Sequence, residues 1–329
     1  MRAISRRHFI GSAAAASAIP LIGPSAHAQT GWPTRQIKII AGYPAGGQTD
    51  LFARTYGEYI RSETGQNVVV ENKAGASGSV AAVEAKRAAP DGYTLMFTIS
   101  TTMIMNRVLM KDIPYDAEKD FVLVSIMPAG SLPFVAGEKT GAKTLAEFVA
   151  YAKKAEKVNV GTYGAGSYAH MAIVEMNKQY GLKIEPVHYR GEAPMWTDLA
   201  GGFIDGAHGS YSAALSVLQS GLGRAVAVSR KRMSVMPDVP SFTEQGATSR
   251  IFQLTGFQCC AVPTGTAAEI VQKLSKLLVA GGKSEKVKQV MKSFGVDDTA
   301  MTFEETQKLF KEEAPIWLEA VASLGLAPS

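Results

Sequence analysis

The sequence predicts an α/β fold in two units with a cleft between them. Three observations carry that expectation. Strand-like and helix-like segments alternate from residue 37 to 99, the alternation returns from 144 to 228, and two apolar stretches, 121–136 and 252–262, run extended between the two blocks. Two crossings between two α/β units imply a two-segment hinge with a cleft.

The first unit opens with Ile37-Lys38-Ile39-Ile40-Ala41, a β-rich run, followed by a loop from Tyr43 to Asp50 and a helix to residue 60. Val68-Val69-Val70-Glu71 is the second strand. A Gly/Ser stretch at 75–79 leads into a helix to 88, and Pro90-Asp91-Gly92 turns the chain into a third strand at 94–99. This βαβαβ order predicts an open, largely parallel sheet. In the second unit, helices are expected at 144–154, 168–180, 193–200 and 212–218. Strands are expected at 158–161, 184–189, 203–207 and 224–228. Three C-terminal helices, near 267–279, 285–294 and 303–322, pack back on the first unit. The boundaries are therefore 29–130 plus 255–329 for one lobe and 131–254 for the other.

Residues 1–28 read as an export label. Ser5-Arg6-Arg7-His8-Phe9-Ile10 is a twin-arginine signature, an apolar run to residue 22 follows, and Ala26-His27-Ala28 fits a cleavage site near Ala28. Of the formal charge of +5, Arg2, Arg6 and Arg7 supply three, so the mature chain carries +2 and has no nucleic-acid footprint. The two cysteines, Cys259 and Cys260, are neighbours. Adjacent residues close a strained ring, so both are expected free on opposite faces of a buried strand.

The Tyr43–Asp50 loop lies between a strand end and a helix start, where open sheets bind ligands. Gly46-Gly47 bares backbone N–H groups next to a helix N-terminus, which suits a carboxylate; the same pattern also makes a plain turn capped by Asp50. The second unit repeats the design at Thr162-Tyr163-Gly164-Ala165-Gly166-Ser167-Tyr168-Ala169-His170, with His170 read as a structural hydrogen-bond partner and Tyr163 and Tyr168 either stacking on an aromatic acid or packing on the helix. A competing reading uses the same loop. Gly164-x-Gly166-x-x-Ala169, with Glu185 about twenty residues on, matches a dinucleotide-binding fingerprint and would make the protein an exported NAD(P)-dependent oxidoreductase. No G-x-S-x-G, H-E-x-x-H or C-x-x-C motif occurs, and Asp205 with His208 lacks a third metal ligand.

These pieces together resemble the periplasmic receptors of tripartite tricarboxylate transporters, the Bug-type solute-binding proteins. The likeness runs through Pro44-Ala45-Gly46-Gly47-Gln48-Thr49-Asp50, Val69-Val70-Glu71-Asn72-Lys73-Ala74-Gly75, Ala89-Pro90-Asp91-Gly92-Tyr93-Thr94, Gly164–His170, Leu199-Ala200-Gly201-Gly202-Phe203-Ile204-Asp205, Met236-Pro237-Asp238-Val239-Pro240 and Val262-Pro263-Thr264-Gly265-Thr266. The resemblance implies a two-lobed type II periplasmic-binding-protein fold without cofactor or metal. It also implies a monomer that captures a small mono- or dicarboxylate, aromatic or aliphatic, for membrane transporter subunits. Carried over by position, the ligand contacts are Tyr43, Ala45, Gly46, Gly47, Thr49, Asp50, Ser100 and Thr101 from the first lobe. From the second they are Thr162, Gly164, Gly166, Ser167, His170 and Asp205. The sequence departs from the family pattern at 255–260, where a Trp-containing stretch is expected, and in its twin-arginine label.

Overall fold

A computed structural model describes residues 31–254 and 256–328, so the expected export label lies outside the described residues. The chain from Pro33 onward forms one unit, within which there are two five-stranded sheets.

The chain begins with β1 (Ile37–Ala41), buried except at Lys38, which explains its otherwise apolar sequence. Helix α1 (Gln48–Thr64) follows; Gly65 ends it in the left-handed conformation and donates its N–H to Arg61 O. Then come β2 (Val68–Asn72), α2 (Ser79–Lys86) and β3 (Thr94–Ile99). A π-helical turn at Thr101–Met105 leads to α3 (Asn106–Leu109) and α4 (Ala117–Asp120), and β4 (Phe121–Pro128) completes the outward run.

After the first crossing come β5 (Pro133–Gly137), α5 (Leu145–Lys154) capped by Thr144, β6 (Val158–Thr162) and α6 (Tyr168–Tyr180) capped by Ser167. The lobe continues with β7 (Ile184–His188), α7 (Glu192–Ala200), β8 (Gly206–His208), α8 (Tyr211–Ser220) and β9 (Gly223–Val228). The return passes through a short 3₁₀ turn, Arg250–Gln253, before β10 (Phe257–Pro263), rather than as the single extended stretch expected from 252. Helices α9 (Ala268–Gly282), α10 (Glu285–Ser293) and α11 (Phe303–Ala322) close the chain; a Thr302/Glu305 capping box starts α11.

The strand orders are β2-β1-β3-β10-β4 and β7-β6-β8-β5-β9. Each sheet is mixed, a correction to the largely parallel expectation. β10 runs antiparallel to both β3 and β4, and β5 antiparallel to both β8 and β9. The reason is topological. The other strands run toward the crossing, whereas β5 and β10 arrive through it and must run away from it: Pro133 pairs with Val228, and Phe257 with Pro128. The two sheets thus turn the C-terminal ends of their parallel strands, with their loops, toward the crossing.

Phe203 is not in a strand. It is 74% exposed, and β8 begins after Asp205. Cys259 and Cys260 are free and fully buried on β10, as expected of an inert strand pair; burial first, for both, raises their pKa.

Candidate ligand site

A cavity of about 500 Å³ opens where the loops of the two sheets meet. That volume suits a small organic ligand. The first lobe lines it with Tyr43 and Gln48, with Ser100 and Thr101 at the end of β3, and with Gln258 of β10. The second lobe contributes the 163–168 loop, Glu192 and Ser210. Of the expected contacts, Tyr43, Ser100, Thr101, Gly164, Gly166 and Ser167 meet here.

The remaining expected contacts do not line it. Asp50 is buried, and its carboxylate is already occupied: it accepts from Gly46 N at 2.9 Å, Asn72 Nδ2 at 2.9 Å and Arg54 at 2.9 Å. Gly46 therefore spends its N–H inside the loop, and Ala45 and Gly47 shape the turn without reaching the cavity. The Gly47 N–H points back to Pro44 O at 3.4 Å. Thr162 is buried against His188, with Oγ1 2.8 Å from Nδ1. His170 Nδ1 accepts the Gly166 N–H at 3.3 Å, which fixes the turn but removes that amide from the cavity. Burial first, and then the neighbouring His188, push the His170 pKa down to about 4, so it is a neutral acceptor. Asp205 sits at the far ends of the strands. It accepts from Tyr151 Oη and Asn159 N, each at 2.7 Å, and from Lys139 Nζ at 3.1 Å. It pins a loop.

Sequence reasoning missed a relay that aims one amide. Thr49 Oγ1 donates to Gln258 Oε1 at 2.7 Å; Gln258 Nε2 then faces Gln48 Oε1 at 3.3 Å. The Gln48 Nε2 donor is left without a partner among the described residues, and Gln48 lines the cavity. Trp317 Nε1, from α11, is a second buried donor in the cavity wall without a partner among those residues, and the Tyr168 hydroxyl is a third such polar group. The Trp317 ring centroid is 5.9 Å from that of Tyr168, so the C-terminal helix meets the second lobe there. An orphaned buried donor is costly unless a ligand or water accepts from it. These residues could not be found by motif, because the relay joins positions 209 apart in sequence.

Tyr43 lines the cavity with its proton already engaged. Thr98 Oγ1 donates to Thr102 Oγ1, and Thr102 gives its own proton to Ser77 O. In the 3.3 Å contact between Tyr43 Oη and Thr102 Oγ1, Tyr43 must then donate, which leaves its oxygen lone pairs for another partner. Burial foremost pushes its pKa up to about 12, so it stays protonated. Among the described residues no lysine, arginine or histidine lines the cavity. The polar groups that its walls offer are therefore neutral or acidic, and none is cationic.

The dinucleotide reading fails on geometry. A ribose-binding acid belongs at the C-terminal end of the second strand. Glu185 instead pairs with Asn159 near the opposite end of β7 and forms an exposed ion pair with Lys157.

Residues 52–326 match the tripartite tricarboxylate transporter family receptor, TctC. The chain belongs to this family. It is 34% identical over 260 residues to a UPF0065 protein of Bordetella bronchiseptica, covering 77% of this chain and 74% of that one. Among solved structures it resembles periplasmic binding protein BugD (27% identity, TM-score 0.71, 91% of this chain and 100% of that one). It also resembles R. palustris Rpa4515 with adipate (26% identity, TM-score 0.77, 91% and 100%). This TctC receptor is a substrate-binding protein and not an enzyme, and the two-lobed α/β fold is that of its family.

Proposed function

We propose that this receptor works in the periplasm, capturing a small organic carboxylate between its lobes and presenting it to membrane transporter subunits. One observation carries the reading: among the described residues, the cavity between the loops has orphaned neutral donors, Gln48 Nε2 and Trp317 Nε1, and no cationic side chain. Such a site recognises an anion by oriented dipoles that need no counter-charge. Tyr168 and Phe257 add apolar wall for the ligand's carbon skeleton. The relative solved with adipate supports the same ligand class.

On this reading residues 1–28 direct export by the twin-arginine route, the chain is cut near Ala28, and the protein is a monomer. A ligand touching both lobes stabilises their closed arrangement, and that arrangement is what the membrane subunits recognise.

Heat stabilisation of the purified mature protein by a panel of organic acids, alongside NAD and NADP, tests the reading. One or a few acids raise the melting temperature as their concentration passes the Kd. No response to any acid, or a response to the dinucleotides alone, contradicts it.

A further inference from the structure

Among the described residues the cavity carries one formal charge, and it is negative. Glu192, at the first position of α7, lines the wall contributed by the second lobe. Both of its oxygens accept hydrogen bonds, as a carboxylate's do: Oε1 from Ser210 N at 2.9 Å and Oε2 from Ser210 Oγ. These bonds come from a single residue at the start of α8, so the group is held in place rather than left to swing. Among the described residues it makes no ion pair. Two oxygens carry about four acceptor sites, so acceptor capacity remains after Ser210.

The surroundings do not neutralise it. Tyr163 also lines the cavity, and its hydroxyl lies by the first amides of α6; burial foremost, and then the charge of Glu192, keep that hydroxyl protonated. Across the cavity Tyr43 has committed its proton to Thr102 and presents only lone pairs. The cavity thus has two characters. Gln48 Nε2 and Trp317 Nε1 offer donors on the side of the first sheet and α11. On the side of the second, Glu192 offers charged acceptors beside the neutral hydroxyl of Tyr168.

We infer that Glu192 sorts ligands by the charge at their far end. The cavity takes a monocarboxylate whose other end bears an O–H or N–H donor, and turns away an acid with a second carboxylate there. This inference rests on the carboxylate-receptor reading and narrows it. A second carboxylate beside Glu192 meets a like charge in a partly desolvated site, where such pairs are strongly unfavourable. An ammonium or hydroxyl in the same place makes a charge-assisted hydrogen bond. The adipate carried by Rpa4515 has a carboxylate at each end, so this chain is expected to differ from that relative in ligand.

Calorimetric titration of a ladder of straight-chain acids tests this. The ladder spans three to eight carbons, each length ending in methyl, hydroxyl, ammonium or carboxylate. At the best-fitting length the wild type binds the hydroxyl or ammonium form about tenfold or more tighter than the dicarboxylate. Glu192→Gln keeps an acceptor for Ser210 but removes the charge, and the ratio falls to within about threefold, mainly because the dicarboxylate gains. Ranking ammonium against hydroxyl tells which donor is preferred, and either order supports the inference. A wild type that binds the dicarboxylate as well as the donor-bearing acid overturns it. So does a ratio unchanged by Glu192→Gln in a protein whose melting temperature is intact. Failure of every acid in the ladder to bind overturns instead the receptor reading beneath it.

Discussion

Thr49 and Gln258, 209 residues apart, share a buried 2.7 Å hydrogen bond in which the threonine hydroxyl donates to the glutamine carbonyl oxygen. That bond decides which way the Gln258 amide faces, and through it which end of Gln48 meets the cavity. It also ties the first residues of α1 to the strand on which the chain returns from the second lobe.

Thr49→Val keeps the shape and removes the donor. The Gln258 amide loses its orientation, and the Gln48 donor is no longer held toward the cavity. Ligand affinity is expected to fall several-fold, with a stability loss of about 1 kcal/mol. Thr49→Ser restores most of the affinity. Titration calorimetry with a stabilising acid, beside urea melts, separates the two effects.

The lobes touch at Gly166 and Leu109. A β-carbon at Gly166 would lie 2.6 Å from Leu109 Cδ2, and Gly166 has φ of +75°, a conformation that disfavours side chains. Gly166→Ala is expected to cost about 1–3 kcal/mol and to weaken ligand binding by holding the lobes apart. Adding Leu109→Ala relieves the clash but not the backbone strain, so it recovers only part of the loss. A double-mutant cycle on both melting and affinity measures the coupling.

How much of this was legible in the chain differs between fold and site. The repeated strand–helix rhythm and the short apolar runs mark almost every element, because burial on both faces leaves a strong local pattern. The antiparallel direction of β5 and β10 leaves no such mark, since it follows from where the chain crosses. At the site, the two glycine loops were visible as turns beside helix starts, yet their amides proved partly consumed within the loops, by Asp50 at Gly46 and by His170 at Gly166. Whether an amide is free depends on side chains four residues on, and either reading fits the same letters. Asp205, after a Gly-Gly pair, fitted either a ligand contact or an acceptor that pins a loop, and its bonds to Tyr151 and Asn159 at the far ends of the strands match the second. Gln48, Glu192 and Trp317 belong to no motif; only the packing brings them to one cavity.

Histidine titration sets the acid limit of stability. Burial foremost, with His188 adding to it for His170, pushes the pKa values of His170 and His208 down to about 4, and burial lowers that of His188. In the unfolded chain these groups titrate at about 6.5, so between about pH 6.5 and 4 the unfolded state binds more protons. Stability is therefore full above pH 6.5 and declines as pH falls toward 4. Below that, Asp50 and Asp298 add a further loss: burial raises their pKa, but their cationic and N–H partners outweigh it and hold both carboxyls below the usual range. His170→Asn should flatten the pH 6.5 to 4 limb of a melting series. An unchanged slope would mean that His170 is not neutral in the fold.

Asp298, between α10 and α11, joins the first lobe to the segment that follows β9. It pairs with Arg230 and, at 2.5 Å, with Lys231, just after β9, while Arg230 holds φ of +54°. Asp298→Asn is expected to lower stability by about 1 kcal/mol, less at high salt, with ligand affinity changed much less than by Thr49→Val. Urea melts at two salt concentrations check it.

The central claim is that an acid is held in the cavity between the lobes by neutral donors. A crystal structure of the receptor with its best-stabilising acid tests this most directly. The account predicts a carboxylate oxygen within hydrogen-bond distance of Gln48 Nε2 or Trp317 Nε1, with the far end of the acid toward Glu192. An acid bound at Asp205, or with its carboxylate against Glu192 and both orphaned donors untouched, contradicts it.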